Sequence, residues 1–122
     1  MLIINGKIFT MEEKPLDNGF VRIKKNLIEE TGEMSALKNT KNEKILDVHG
    51  AWVMPGLIES HAHIGITEEK WGVIGDDSNE QTNSSTATLR AIDGINPMDP
   101  AFHDAIEAGI TSVMAGPGSA NV

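Results

Sequence analysis

The sequence predicts an α/β protein with a β-rich N-terminal part, on three observations. Residues 1–54 fall into short apolar runs parted by turn residues, with no helical period. From Pro55-Gly56 the order becomes apolar run, long polar loop, marked helix, β-branched run. Strand, helix, strand in that order is a βαβ unit, which implies a parallel sheet. A hydrophobic share of 39% with 12 glycines suits a chain that builds a core rather than a disordered one. The 122 residues allow one domain, or one domain and a piece of another.

The first element is Leu2-Ile3-Ile4, followed by a tight turn expected at Asn5-Gly6 and a second run from Lys7 to Thr10. Asp17-Asn18-Gly19 reads as the next turn. Phe20-Val21-Arg22-Ile23 follows, with Val21 and Ile23 on one face at period two. Lys25-Asn26 turns the chain into Leu27-Ile28-Glu29-Glu30-Thr31, which ends at Gly32. Residues 33–44 carry Lys38, Lys41 and Lys44 and read as a solvated connector. Ile45 to Val48 forms a strand, His49-Gly50 a turn, and Ala51 to Met54 another strand.

Leu57 to Ile64 is a strand whose polar residues gather at its C-terminal end. Residues 65–96 show no sustained period, and a loop of that length is usually functional or mobile. Leu89 to Ile92 is a short helical turn within it. Asp99 is placed as an N-cap and Pro100 at the first helical position. Phe102, Ala105, Ile106 and Gly109 fall on one helical face, and Gly109 also provides the stop. Ile110 to Met114 is the closing strand, and Gly116-Pro117-Gly118 opens a loop.

Composition removes several function classes. Ten basic against 18 acidic residues give a net charge of −8, which disfavours nucleic acid and anionic membranes as partners. Without cysteine there is no disulfide framework and no cysteine-based zinc finger. Met1 to Lys14 has no basic leader before an apolar run, and no apolar stretch reaches the ~20 residues of a membrane span. A cytoplasmic chain is expected.

The sharpest chemical signal is His61-Ala62-His63. Residues i and i+2 of a strand share a face, ~6.6 Å apart. Two imidazoles so placed can converge on one metal at bond lengths of ~2.0–2.1 Å. The alternative is a pair of histidines that merely sit near a strand end. Of the other histidines, His49 falls in a turn and His103 on the solvent side of the helix. Glu68, Glu69, Asp76, Asp77 and Glu80 make the loop acidic, so with Trp71 they either shape substrate access or are simply solvated. Gly116 to Ser119 reads as a sharp turn, with an anion-holding backbone nest as the alternative.

Val53-Met54-Pro55-Gly56-Leu57-Ile58-Glu59-Ser60-His61-Ala62-His63-Ile64-Gly65 resembles the N-terminal signature of the amidohydrolase superfamily, PGLID-x-H-x-H. Leu2 to Thr10, Leu27 to Gly32, Ile45 to Gly50 and Ala108 to Val113 are similar to the family's flanking strands. The His-Ile-Gly continuation and Gly-Pro-Gly-Ser-Ala-Asn look closest to its imidazolonepropionase-related branch.

That resemblance implies a fold and a chemistry. Residues 1–54 would belong to a composite β-sandwich built from both chain ends, and residues 55–122 to the first βαβ portion of a (β/α)8 barrel. His61 and His63 would bind a divalent metal, zinc by family habit, with one or two ions in the complete enzyme. A metal-activated water would attack an amide, cyclic amide or related C–N bond of a small-molecule substrate. The family adds a later carboxylated lysine or glutamate, two histidines and an aspartate. Glu59 stands where aspartate is usual.

A complete barrel takes ~250 residues, so no complete catalytic set is expected here, and the chain alone is expected to be inactive. Leu57, Ile58, Val113 and Met114 would then lie open, and the partner would be the missing barrel segment or a second copy. The other class of function is a non-catalytic truncated or split fragment acting in folding, assembly or interaction.

Overall fold

The computed structural model describes residues 1–83 and 85–120. The chain divides into two compact units, Met1–Pro55 and Gly56–Val122.

In the first unit β1 (Leu2–Ile8), β2 (Leu16–Lys24), β3 (Leu27–Glu33), β4 (Ile45–Asp47) and β5 (Trp52–Val53) form one five-stranded sheet. β1 is its centre: it pairs antiparallel with β2 on one side and parallel with β4 and then β5 on the other. β3 pairs antiparallel with β2 at the edge. Leu2, Ile8, Phe20 and Val21 are buried. Phe20 lies over Gly32 of β3, where a Cβ would meet its ring at 3.2 Å.

Two expected turns are not turns. Asn5-Gly6 lies inside β1, which runs unbroken through a register shift between Ile3 and Gly6. Asn5 takes φ 57° there, and its side-chain amide donates to Asp47 Oδ2 at 2.8 Å. The sequence signal for positive φ was correct, but a β-bulge uses it. The bulge faces the real turn of the neighbouring edge, His49-Gly50, whose Gly50 N–H donates to Asn5 O at 2.6 Å. Asp17 to Gly19 likewise belongs to β2, and residues 9–15 reverse the chain instead. The turn at Lys25-Asn26 and the one at His49-Gly50 stand as expected.

Residues 33–44 are less free than their composition implied. Met34–Ala36 is a 3-10 turn, and Arg22 of β2 clasps the segment after it. The half-buried guanidinium donates to Glu43 Oε1 at 3.0 Å, to Lys38 O at 2.7 Å and to Glu30. Replacing Arg22 with alanine strands Glu43 and frees the connector. A melting-temperature loss equivalent to about 1.5–3 kcal/mol is the expected result, and an unchanged thermal melt would remove this role.

The second unit holds β6 (Leu57–Ala62), α1 (Ala91–Gly94), α2 (Pro100–Glu107) and β7 (Ile110–Ala115). β6 and β7 pair in parallel, Leu57 beside Ile110 and Ala62 beside Ala115, as the βαβ order requires. β6 stops at Ala62, two residues short of the expected Ile64, and the first helical turn sits two residues later than expected. Asp99 caps α2, accepting the Ala101 N–H at 3.0 Å, and Gly109 ends it at φ 86°. Ile66 and Ala101 are buried, while Ile58 is 76% exposed and Leu57, Ile106 and Met114 are also open. Val113 is half-buried. Residues 65–96 include a further 3-10 turn, Gly72–Gly75. Ser84 of that loop, and Asn121 of the Gly-Pro-Gly-Ser-Ala-Asn run, lie outside the described residues. Among the described residues no helix is long and apolar enough to cross a membrane.

Candidate metal centre

His61 lies one residue before the end of β6 and His63 one residue after it. The pleat puts both imidazoles on one side. Their ring centroids are 5.4 Å apart and the planes stand nearly perpendicular, at 83°. His61 is exposed and His63 half-buried. The strand approach is stiffened locally, because the Glu59 carboxylate accepts the His61 backbone N–H at 2.9 Å. Glutamate in place of the usual aspartate therefore still reaches the backbone two residues on.

The ring of His63 has a defined orientation. Its Nδ1 lies 2.7 Å from the carbonyl oxygen of Gly116, just past β7. A carbonyl can only accept, so Nδ1 carries the proton and Nε2 is left with its lone pair. Metal-binding histidines are typically held in this way, the second nitrogen donating to a carbonyl or carboxylate. The donor set therefore fits a divalent metal as far as it goes. Among the described residues no group of three His, Cys, Asp or Glu side chains is arranged to hold an ion.

His63 also lines a concavity with Thr67, Glu68, Glu69 and Asp76. Asp76 is held below the usual carboxylate range, chiefly because the Ser78 hydroxyl donates to it, then by the Ser78 N–H. The Thr67 hydroxyl adds to this. Glu68 accepts from the Asn96 amide at 2.7 Å. Part of the acidic loop is thus hydrogen-bonded framework. Trp71, just before its 3-10 turn, and Val73 and Ile74 within that turn project into solvent.

His49 and His103 are exposed, each beside a carboxylate: His49 leans on Asp47 and His103 on Glu107. The nest considered at Gly116 to Ser119 does not form. Neither Gly116 nor Gly118 takes positive φ, and their N–H groups are used by Ala62 O and Ser78 O.

Sequence reasoning missed two contributors: the Gly116 carbonyl, and the second oxygen of Asp99. The latter accepts the Gly65 N–H at 3.0 Å. The N-cap signal pointed to Asp99 but could say nothing about a partner 34 residues away.

No family model matches the chain. Amidohydrolase tasK of Hapsidospora irregularis is 32% identical over 104 residues, which is 84% of this chain and 11% of that protein. A 5-methylthioadenosine/S-adenosylhomocysteine deaminase of Clostridium tetani is 35% identical over 69 residues, 55% of this chain and 16% of the deaminase. Among solved structures, an amidohydrolase from Thermotoga maritima superposes on 98% of the chain at TM-score 0.88 and 38% identity. The match takes in 30% of the Thermotoga chain, so the present chain spans less than a third of each of these proteins.

Proposed function

The chain belongs to the amidohydrolase superfamily, and on that premise we propose that it supplies the first metal-binding strand of a hydrolase, with His61 and His63 as the donors. The observation that carries the proposal is the ring of His63 fixed on Gly116 O, leaving Nε2 available beside the imidazole of His61. Paired imidazoles suit zinc, among other divalent first-row ions.

An ion bound there would supply Lewis acidity and an activated water for hydrolysis of a C–N bond. The chain's own residues do the rest of what can be assigned. His63 keeps its proton on Nδ1, directed to Gly116. Glu59 holds the strand backbone at His61. Asp76, kept anionic, and Glu68 give the adjoining concavity a negative wall. The remaining ligands and the base would come from further barrel strands, with the first unit forming part of a composite β-sandwich. A small molecule with an amide, cyclic amide or amidine-like C–N bond is the substrate class. Amidohydrolase and deaminase, the names these relatives carry, support the superfamily and do not reach to a branch within it.

The 122 residues by themselves are read as non-catalytic, because two donors and no positioned base are present among the described residues. Assay of the purified chain with zinc against amides, lactams and aminopurines should give no turnover above background. General acid–base assistance, typically ~10²–10⁴-fold, is one of the contributions it lacks. Turnover that disappears in His61→Ala would show instead that copies of the chain assemble a complete site.

A further inference from the structure

We infer that Asp99 is a positioning residue for His63, holding the backbone turn from which the imidazole reaches its metal; the inference rests on the reading of His61 and His63 as metal donors. Asp99 is 3% exposed, and both of its carboxylate oxygens are engaged. Oδ1 accepts the Ala101 N–H at 3.0 Å, which is the helix cap. Oδ2 accepts the Gly65 N–H at 3.0 Å, which is not. Burying a carboxylate is costly, and a serine would cap α2 without that cost. The second oxygen is therefore what distinguishes aspartate here.

Its target lies inside the turn that starts at His63. The carbonyl of His63 accepts the N–H of Ile66 at 3.0 Å and of Thr67 at 2.8 Å, closing the turn around Gly65. Gly65 takes φ 78°, with its N–H on Asp99 and its carbonyl accepting the Asn96 N–H at 2.7 Å. His63 is thus gripped twice by elements outside its own strand. The end of β7 takes the ring through Gly116 O, and the N-cap of α2 takes the following backbone through Gly65. Releasing Gly65 lets the 64–65 peptide reorient and the ring lose its registration on Gly116.

Asp99→Ser separates the two roles, because Oγ can cap Ala101 but is too short to reach Gly65 as well. Long-range ¹⁵N–¹H spectra of the metal-free chain report the tautomer of His63, and zinc calorimetry reports affinity. The expected result is an unchanged helical circular dichroism signal, a His63 ring no longer confined to the Nδ1–H form, and zinc binding weaker by about 10-fold, the low end of the ~10–100-fold range for lost outer partners of metal ligands. Asp99→Asn, which keeps one oxygen but turns an amide N–H towards Gly65, should move both readouts the same way. A His63 tautomer identical to that of the unaltered chain in either folded variant would overturn the inference. So would loss of the folded signal in both, which would make Asp99 a general structural residue. If His61→Ala and His63→Ala leave zinc binding untouched, the metal reading fails, and the tautomer in the metal-free chain still decides the role of Asp99.

Discussion

Zinc binding by the chain is expected to vanish in the His61→Ala, His63→Ala double variant, across the concentrations at which the unaltered chain saturates. The two imidazoles share one face at the end of β6, with ring centroids 5.4 Å apart. His63 is already in the tautomer that leaves Nε2 to a metal. Among the described residues no group of three His, Cys, Asp or Glu donors occurs, so no closed site stands ready to bind the ion once the pair is removed. Binding by the unaltered chain should itself be weaker than at a closed four-ligand site, and a chelator should reverse it. Each single variant keeps one imidazole and should fall between the two extremes. Equal affinity for the unaltered chain and the double variant would sink the assignment.

Gly65→Val should strongly destabilise the second unit. Gly65 sits at φ 78°, where a side chain costs ~1–2 kcal/mol in backbone strain. Its Cβ would stand 2.7 Å from Phe102 Cε2 and 3.2 Å from Asn96 O, and forcing such contacts apart costs ~1–3 kcal/mol more. Together these reach about 2–5 kcal/mol against a domain stability of ~5–15 kcal/mol. Gly50→Ala is the matched control, since Gly50 has φ 85° with open space around it and should lose the backbone part alone. Thermal unfolding followed by circular dichroism compares them. Equal melting temperatures for Gly65→Val and Gly50→Ala would show that the packing against Phe102 carries no cost.

Much of the frame was legible because the rules that write it are local. The cap at Asp99, the first-turn Pro100, the stop at Gly109 and the turn at Lys25-Asn26 each depend on residues within one helical turn or one hairpin. All four are in the structure. The parallel pairing of β6 with β7 followed from the strand–helix–strand order. Where the reading slipped, two structures shared one local signal. Asn5-Gly6 satisfies a tight turn and a bulge equally well, and Asp17-Asn18-Gly19 carries turn residues inside a strand.

The sequence by itself determined the α/β class, the strand at whose end His61 and His63 stand, and the superfamily to which that motif belongs. Only the tertiary structure decided how those histidines are held. The proton on His63 is placed by a carbonyl 53 residues away, and the turn after it is tied to a carboxylate 34 residues from Gly65. Asn5 became a bulge because Asp47 and Gly50, more than 40 residues on, bond to it. Hydrogen bonds of that separation form only after the strands have paired, so neither period nor propensity within a short window encodes them.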